Sequence, residues 1–413
     1  MNNSTLKDCC TFQEGYVNPS QKFKEFFGGK IKWLRASDLN DGEVFDTERK
    51  LSDKGFNSAG KSAFLFEKNT LAISKSGTIG RLGILKDKMC GNRAVININV
   101  NRNLADLYYV FYTLKYKKPE IIGKAGGSIQ KNLYVSALET ISLNHSNPFE
   151  QSKIAKVLSD LDKKIEINNK INAELEAMAK LIYNYWFVQF DFPNANGHPY
   201  KSSGGKMVLN EELKREIPEG WNAGNIMQLA NLLGGGTPKT TEDSYWNGSI
   251  PFFTPADAES NIYSLKTKAN ITKDGLNSCS SRLYSKGTIF ITARGTVGKI
   301  NIASRDMSMS QSCYALQGKE GISSEFVYFY VDELVHYIKS KASGSIFKAL
   351  VTNDFKFTPM TIPPSELIAQ FTKLAKPMFE KLLINKIENN QLEELREWLL
   401  PTLMNGQVTV QEK

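Results

Sequence analysis

A phosphate-binding pattern is the first feature of this sequence that could carry chemistry. Residues Gly55 to Ser62 read Gly-Phe-Asn-Ser-Ala-Gly-Lys-Ser, which fits the spacing G-x-x-x-x-G-K-[ST] of loops that hold nucleotide phosphates. Such a loop needs an apolar strand before it and a helix after it. Here the polar segment 47–54 precedes the pattern and the strand-like segment 63–66 follows it. We therefore predict a turn without a nucleotide, and a nucleotide-dependent enzyme remains an alternative.

Other residues with catalytic or metal-binding potential are scattered. His145, His198 and His336 lie far apart, while Asp160 and Asp162 are two residues apart on a helical pattern, which points their side chains to different faces. The five cysteines contain no Cys-x-x-Cys spacing. These patterns predict neither a metal site nor a catalytic triad, and they predict no cofactor bound by this chain itself.

Two glycine turns offer binding chemistry instead. Ser76-Gly-Thr-Ile-Gly-Arg81 and Arg294-Gly-Thr-Val-Gly-Lys299 each follow an apolar strand. Glycines allow a close backbone approach, and the neighbouring hydroxyl and basic groups suit phosphates or base edges. A plain hairpin turn is the alternative. The predicted DNA-contacting residues are Arg35, Lys75, Ser76, Thr78, Arg81, Arg93, Lys131, Thr254, Arg294, Thr296, Lys299, Gln311 and Lys348. At matched positions, Arg93 would suit guanine and Gln311 adenine.

The charge distribution favours a polyanionic partner. The 413 residues contain 52 Lys+Arg and 43 Asp+Glu, a net charge of +9. Two helical stretches, 150–180 and 364–400, carry 0 and −1, so the remaining segments carry +10. The sequence has no apolar run of about 18 residues and no signal-peptide pattern, which predicts a cytoplasmic protein without a membrane partner.

An internal repeat organises the chain. Blocks in the first part of the sequence recur about 216 to 219 residues later with similar residues and turns. The matched pairs are 31–38 with 250–257, 70–80 with 288–298, 127–131 with 344–348, and 169–171 with 385–387. The pattern predicts a duplication in which each globular copy is followed by a long helix.

Both helices have heptad-like apolar spacing. The first has Ile154, Leu158, Leu161, Ile165, Asn168 and Leu175, and the second has Phe371, Met378, Asn385, Leu392 and Leu399, with Leu374 and Leu395 three residues after a heptad position. Pro377 predicts a kink or a new helix start. We expect two helices of about 50 Å that pair antiparallel, relate the two copies by a pseudo-twofold and fix their register through asparagines. Packing of each helix against its own globule is the alternative.

The centre of the chain carries a family resemblance. Trp186-Phe-Val-Gln-Phe-Asp-Phe-Pro193, Ser202-Ser-Gly-Gly-Lys-Met207 and Ile217-Pro-Glu-Gly-Trp221 resemble the junction before the second target-recognition domain in specificity subunits of type I restriction-modification enzymes. The Gly-Thr-Ile-Gly turn and Ile362-Pro-Pro364 are also similar. The first copy departs from the pattern because it lacks the Ile-Pro-Glu-Gly-Trp sequence and has Asn147-Pro-Phe149 in place of the double proline.

The resemblance implies a non-catalytic subunit that selects a bipartite double-stranded DNA sequence, one part per domain. It also implies that the paired helices dock two methyltransferase subunits, which restriction subunits join. S-adenosylmethionine, ATP and magnesium would then belong to those partners. A helical assembly scaffold without DNA contact is the remaining alternative.

The predicted fold class is α+β, with two tandem α/β target-recognition domains separated by two long helices that form an antiparallel coiled coil. The expected boundaries are 1–149 for the first recognition domain, 150–190 for the first spacer helix, 191–220 for a linker, 221–362 for the second recognition domain and 363–413 for the second spacer helix.

Overall fold

The computed structural model describes residues 4–127, 131–144, 147–259, 261–341 and 349–410. The chain divides into two compact units. Unit 1 combines Met1–Glu166 with Gln391–Lys413, and unit 2 is Ile167–Asn390. Each unit therefore contains one globular copy together with parts of both long helices.

Unit 1 is built around a five-stranded sheet. In spatial order its strands are Cys10–Glu14, Val95–Val100, Leu71–Ser74, Leu82–Leu85 and Gly42–Val44. A three-stranded sheet follows the order Lys50–Leu51, Phe27–Leu34 and Cys90–Gly91, and Ser4–Thr5 pairs with Ser142–Leu143. The helices of the globule are Leu6–Cys9, Asp53–Asn57, Leu107–Tyr116, Lys118–Gly123 and Val135–Glu139.

Unit 2 repeats this arrangement. Its five-stranded sheet has the order Ala230–Gly234, Cys313–Gly318, Ile289–Thr292, Ile300–Ala303 and Tyr263–Ser264, and its three-stranded sheet has the order Ala269–Ile271, Trp246–Phe253 and Ser308–Met309. The two-stranded pairs are Asn222–Gly224 with Met360–Ile362 and Met207–Asn210 with Arg215–Pro218. The helices are Lys273–Asn277, Ser324–Lys341 and Thr352–Phe357. Equal strand order in both units confirms the duplication.

The central strands Leu71–Ser74 and Ile289–Thr292 are almost wholly apolar because both of their faces are buried. Leu71 and Ile73 contribute to the core beneath the helices, while Ala72 joins a second core with Leu34 and Met89. Alternate residues of a strand point to opposite faces, so a sheet covered on both sides requires an uninterrupted apolar run. Strand Ile289–Thr292 divides its side chains in the same way.

The glycine that opens the phosphate-loop pattern has a packing role. A Cβ atom on Gly55 would lie 2.1 Å from the carbonyl oxygen of Phe26, and one on Gly275 would lie 2.4 Å from that of Tyr245. The segment 60–62 forms one 3-10 turn, and the next helix begins only at Leu107. The strand–loop–helix geometry of a phosphate-binding loop is therefore missing at this place.

The segment 191–220, expected to be a linker, contains ordered structure. Asp191 accepts hydrogen bonds from the backbone N–H and the hydroxyl of Ser202, at 2.7 and 2.6 Å. The Phe192 ring stacks on Tyr200 with 4.6 Å between ring centroids. Strand Met207–Asn210 then pairs with Arg215–Pro218. Aromatic packing within and after a Gly-, Ser- and Asn-rich sequence gives this segment a fixed conformation.

The two long helices are Pro148–Tyr183, followed by a π turn at Asn184–Val188, and Ser365–Met404. The second continues through Pro377, so the expected new start at this proline is wrong. Pro377 is exposed, whereas Ala375 and Phe379 beside it are buried in the core of unit 2. Packing on one face holds the helix together where the proline removes a backbone hydrogen bond. No helix in the described ranges has the length and hydropathy of a bilayer span.

Asparagines join the two helices within unit 2. The Asn168 amide donates to Asn389 Oδ1 at 2.9 Å, and the Asn385 amide donates to Asn172 Oδ1 at 2.9 Å. Because 168 faces 389 and 172 faces 385, the helices run antiparallel in this unit, as predicted. Asn168, Asn385 and Asn389 are buried. In both bonds an amide N–H of one helix donates to an amide oxygen of the other, which favours this register over shifted ones.

Candidate nucleic-acid interface

Four chain segments that carry predicted contact residues meet in unit 1. The Lys75 N–H donates to the Ala94 carbonyl at 2.8 Å, and the Leu133 N–H donates to the Lys75 carbonyl at 2.8 Å. The Asn92 N–H donates to the Leu34 carbonyl at 2.9 Å. These backbone bonds bring together the segments that contain Arg35, Lys75, Arg93 and Lys131. The surface they form in unit 1 is termed the first loop surface.

Unit 2 forms the corresponding second loop surface through equivalent bonds. The Ala293 N–H donates to the Ser312 carbonyl at 2.8 Å, the Leu350 N–H donates to the Ala293 carbonyl at 3.0 Å, and the Ser310 N–H donates to the Phe253 carbonyl at 2.9 Å. Thr254, Arg294 and Gln311 thereby come together. Predicted contact residue Lys348 lies outside the described residues.

The two glycine turns have the same internal geometry. Ser74 Oγ donates to the Thr78 carbonyl at 2.5 Å and accepts from the Arg81 N–H at 2.8 Å, and Thr292 Oγ1 makes the same pair of bonds at 2.5 and 2.9 Å. All four glycines of the turns have φ between 72° and 84°, a region that disfavours side chains. The turns are therefore rigid hairpin connections, and their polar side chains determine what they can bind.

The predicted contact residues differ in how far they are free to bind a ligand. Thr254 Oγ1 donates to Asp257 at 2.6 Å, Thr296 Oγ1 to the Pro255 carbonyl at 3.3 Å and Lys299 Nζ to the Ala258 carbonyl at 3.0 Å. These three side chains support the loops. The exposed residues are Thr78, Arg93, Lys131, Arg294, Thr296, Lys299 and Gln311, whereas Arg35, Lys75, Ser76, Arg81 and Thr254 are half-buried.

Two carboxylates on the first loop surface were missed at the sequence level. Glu48 Oε2 lies 2.6 Å from Arg35 Nη2, and Glu14 Oε2 lies 2.8 Å from Lys75 Nζ. The paired residues are 13 and 61 positions apart in sequence. No local spacing rule links residues so far apart, so only the sheet pairing reveals that two of the predicted cations are neutralised.

The predicted helix-contact residues are buried or half-buried on the first helix, whereas on the second helix some of the residues predicted to face the partner helix are exposed. Leu395 is 42% exposed and Leu374 is 46% exposed. These two residues, each three positions after a heptad position, therefore do not lie in the seam, the buried surface between the two helices. Buried residues instead lie four positions after four of the five heptad positions, at Ala375, Leu382, Asn389 and Leu403. Of the predicted residues, Ile154, Leu158, Ile165, Asn168, Phe371 and Asn385 are buried, and Leu161, Leu175, Met378, Leu392 and Leu399 are half-buried.

A second apolar stripe faces outward on each helix. On the first helix the stripe repeats at spacings of three, four or seven residues, which is the period of a surface that packs against another helix. Its exposed members are Ile167, Ile171, Met178 and Leu181 on the first helix, and Leu374, Ile384, Ile387, Leu395 and Trp398 on the second.

A charged cluster connects both helices with the globule of unit 1. Asp162 receives Arg396 Nη1 at 2.5 Å and the Tyr112 hydroxyl at 2.6 Å, with Lys115 Nζ 4.0 Å away. Burial, reinforced by Asp162, raises the pKa of Tyr112. Burial lowers the pKa of Lys115. Burial also acts to lower the pKa of Arg396, but the hydrogen bond and the charge of Asp162, together with the charges of Glu393 and Glu397, raise it overall. In the described ranges, no three His, Cys, Asp or Glu side chains come close enough to hold a metal ion.

Comparisons with known proteins point to one family. The sequence model described as "type I restriction modification DNA specificity domain" matches residues 1–177 and 218–395. The chain is 27% identical over 407 residues to the type I restriction enzyme MjaIX specificity subunit of Methanocaldococcus jannaschii, with 96% of this chain and 91% of the relative covered. It is 25% identical over 369 residues to the HindI specificity subunit of Haemophilus influenzae, with 76% and 80% covered.

A solved structure shares the fold. The S subunit of the type I restriction-modification system from M. genitalium aligns with a TM-score of 0.64 at 17% identity, covering 100% of this chain and 96% of that chain. The duplicated family match and the duplicated sheet order agree on a two-copy architecture.

Proposed function

This chain belongs to the family of type I restriction-modification DNA specificity subunits, and we propose on that premise that it binds double-stranded DNA at a bipartite target. Each loop surface would contact one part of that target. The cytoplasmic location predicted from the sequence is part of the same proposal.

The observation that carries this proposal is a shared scaffold with different side chains. The same backbone hydrogen bonds hold both loop surfaces, yet their side chains differ at matched positions: Arg93 in the first corresponds to Gln311 in the second, and Ser76 to Arg294. Arginine suits the O6 and N7 acceptors of guanine, whereas glutamine suits adenine. A protein that recognises two different half-sites needs different polar side chains on two similar backbone scaffolds, and this chain has them.

The outward apolar stripes support a role in assembly. We propose that they dock two methyltransferase subunits through helices of those partners, and that restriction subunits join this complex. Methylation and cleavage would be catalysed by the partners, with S-adenosylmethionine, ATP and magnesium bound there. An assembly scaffold without DNA contact uses the same stripes, so a mobility-shift assay with the methyltransferase present separates the two proposals through its DNA readout.

An exchange of one recognition domain tests the proposal directly. The expected domain limits remain 1–149 and 221–362, with helices and linker between and after them. We expect that replacing 222–360 by the segment of a relative changes one part of the methylated motif and leaves the other intact, because each loop surface would select its own part. Methylome mapping of cells with the partner subunits reads this out, and an unaltered motif would contradict the proposal.

Arg294 allows a test at one side chain. It is exposed, and no hydrogen bond or ion pair holds its side chain among the residues that the structure describes. If Arg294 reads a base, Arg294→Ala should weaken binding of the cognate duplex by about 1–3 kcal/mol and relax selection at one position. A uniform loss across sequences with a salt slope smaller by about one unit would identify a phosphate contact instead. Lys201→Ala, an exposed lysine remote from the loop surfaces in sequence, is the control.

The phosphate-loop alternative has a direct test of its own. An enzyme that uses Gly55 to Ser62 would bind ATP in the isolated chain and lose that binding on Lys61→Ala. Because residues 60–62 form only a single 3-10 turn, we expect that neither the unaltered chain nor the Lys61→Ala variant binds ATP.

A further inference from the structure

One matched position of the two loop surfaces carries opposite charges. In unit 1 the Glu48 N–H donates to Asp38 Oδ1 at 3.1 Å, and in unit 2 the Lys268 N–H donates to Asp257 Oδ1 at 2.8 Å. Glu48 and Lys268 therefore occupy equivalent places. Each of these aspartates ends a short 3-10 turn, and the residue before that turn also differs: it is Arg35 in unit 1 and Thr254 in unit 2. The first surface thus holds an ion pair where the second has a lysine and a threonine.

The ion pair presents its carboxylate outward. Arg35 Nη2 lies 2.6 Å from Glu48 Oε2, Arg35 Nε lies 3.5 Å from Asp38 Oδ2, and the guanidinium carbon lies 5.8 Å from the centroid of the Trp33 ring. The Arg35 side chain is 19% exposed and that of Glu48 is 72% exposed. Arg35 is therefore held from three sides, and Glu48 is the member of the pair that a ligand on this surface would meet.

On a surface that faces DNA, a carboxylate can bind only a limited set of groups. Phosphates repel it, so it does not contribute to sequence-independent binding. It only accepts hydrogen bonds, and the major-groove donors are the exocyclic amino groups, N4 of cytosine and N6 of adenine. A neighbouring guanidinium compensates its charge and fixes its direction.

We propose that Glu48 is a specificity-determining residue that accepts a hydrogen bond from the exocyclic amino group of a cytosine or adenine in one part of the target. Arg35 is then a positioning residue that acts through Glu48, which revises its predicted role as a direct DNA contact. Lys268 provides a phosphate contact at the equivalent place in unit 2. The inference rests on the proposed DNA binding and adds which chemical group is read at this position.

Selection from a randomised duplex library with the full-length chain tests this assignment. Glu48→Ala should lower discrimination at one position of the target by about tenfold, because one charge-assisted hydrogen bond is lost. The same variant should bind unrelated duplex more tightly, since a charge that repels phosphates is gone. Glu48→Lys should shift the preference at that position toward guanine, whose O6 and N7 accept hydrogen bonds. A residue that only stabilises the loop would produce neither the tighter non-specific binding nor the altered preference.

Two further variants complete the design. Lys268→Ala is the matched control, for which we expect weaker binding to all duplexes and an unchanged base preference. Arg35→Lys retains the charge but loses the planar fork, and should broaden selection at the Glu48 position alone. Melting temperatures show whether each variant is folded, and the exposure of Glu48 leads us to expect no change for the variants at that position.

The outcomes separate this inference from the proposed function. If the unaltered chain selects a motif and Glu48→Ala selects the same motif with the same stringency at every position, the role of Glu48 is refuted and DNA recognition stands. If the unaltered chain enriches no sequence, the proposed function fails and the role of Glu48 fails with it.

Discussion

Replacing Leu403 and Met404 together by alanine is expected to destabilise the N-terminal globule of unit 1 by about 4 kcal/mol or more. Their side chains are 2% and 1% exposed and belong to the same apolar core as Leu6 and Tyr109. The Asn144 amide also donates to the Met404 carbonyl at 2.7 Å. Each substitution removes three buried heavy atoms from this core. Because the two residues are neighbours, their effects will not be strictly additive.

Hydrogen exchange locates this effect. Amides of helix Leu107–Tyr116 and strand Leu71–Ser74 should lose protection, although they are about 290 residues or more from the substitutions in sequence, because Thr113 contacts Met404 directly within unit 1. Leu395→Ala on the same helix is the control, and its exposed side chain predicts a change below about 0.5 kcal/mol. Unchanged protection of Leu107–Tyr116 in the double variant would show that the helix end does not support this globule.

The duplicated sheets were predictable because their signal is local. The tetrads 71–74 and 289–292 are almost wholly apolar, and glycine turns with equal spacing follow both. A strand that is buried on both faces tolerates few polar residues, so both copies show the same apolar pattern. The structure confirms both strands and the turns that follow them.

The seam of the second helix was predictable only in part. Phe371 and Asn385 lie in the seam, but the helix carries apolar residues on two faces, and spacing alone cannot assign one face to the partner helix. Leu374 and Leu395 belong to the outward stripe, whereas Ala375 and Leu382 are buried. The residues three and four positions after a given helix residue both lie close to it. The position of the other helix is therefore needed to decide which of the two is buried.

The first loop surface shows a different limit. Its glycine turn was recognised from sequence, whereas the pairing of Lys75 with Glu14 depends on bringing together residues 61 positions apart. Strand Cys10–Glu14 lies at the edge of the five-stranded sheet, beside Val95–Val100, and this order places Glu14 near the turn. Whether the charge of a basic residue is available to DNA therefore depends on the order of the strands. The composition of a single segment does not predict that order.

Asp162→Ala is expected to cost about 3 kcal/mol of stability in unit 1. The substitution leaves Arg396 and Lys115, with side chains 17% and 20% exposed, without the carboxylate that neutralises them. Asp160→Ala is the matched control on the same helix, because its partner Lys156 is exposed and such pairs contribute less than about 1 kcal/mol. A double-mutant cycle with Arg396→Met measures the coupling, which the shared contact predicts to be large.

The cost of Asp162→Ala should also depend on pH. Burial already holds the pKa of Lys115 below its ordinary value of 10.5, and Asp162 acts against that shift. Without Asp162 the folded-state pKa falls further, so the unfolded chain binds more protons than the folded one between the lowered pKa and 10.5. Stability rises with pH wherever the unfolded state binds more protons. Denaturant titrations should therefore show the deficit of the variant shrinking as the pH is raised toward 10.5, and a deficit that grows over this range would contradict the role of Lys115.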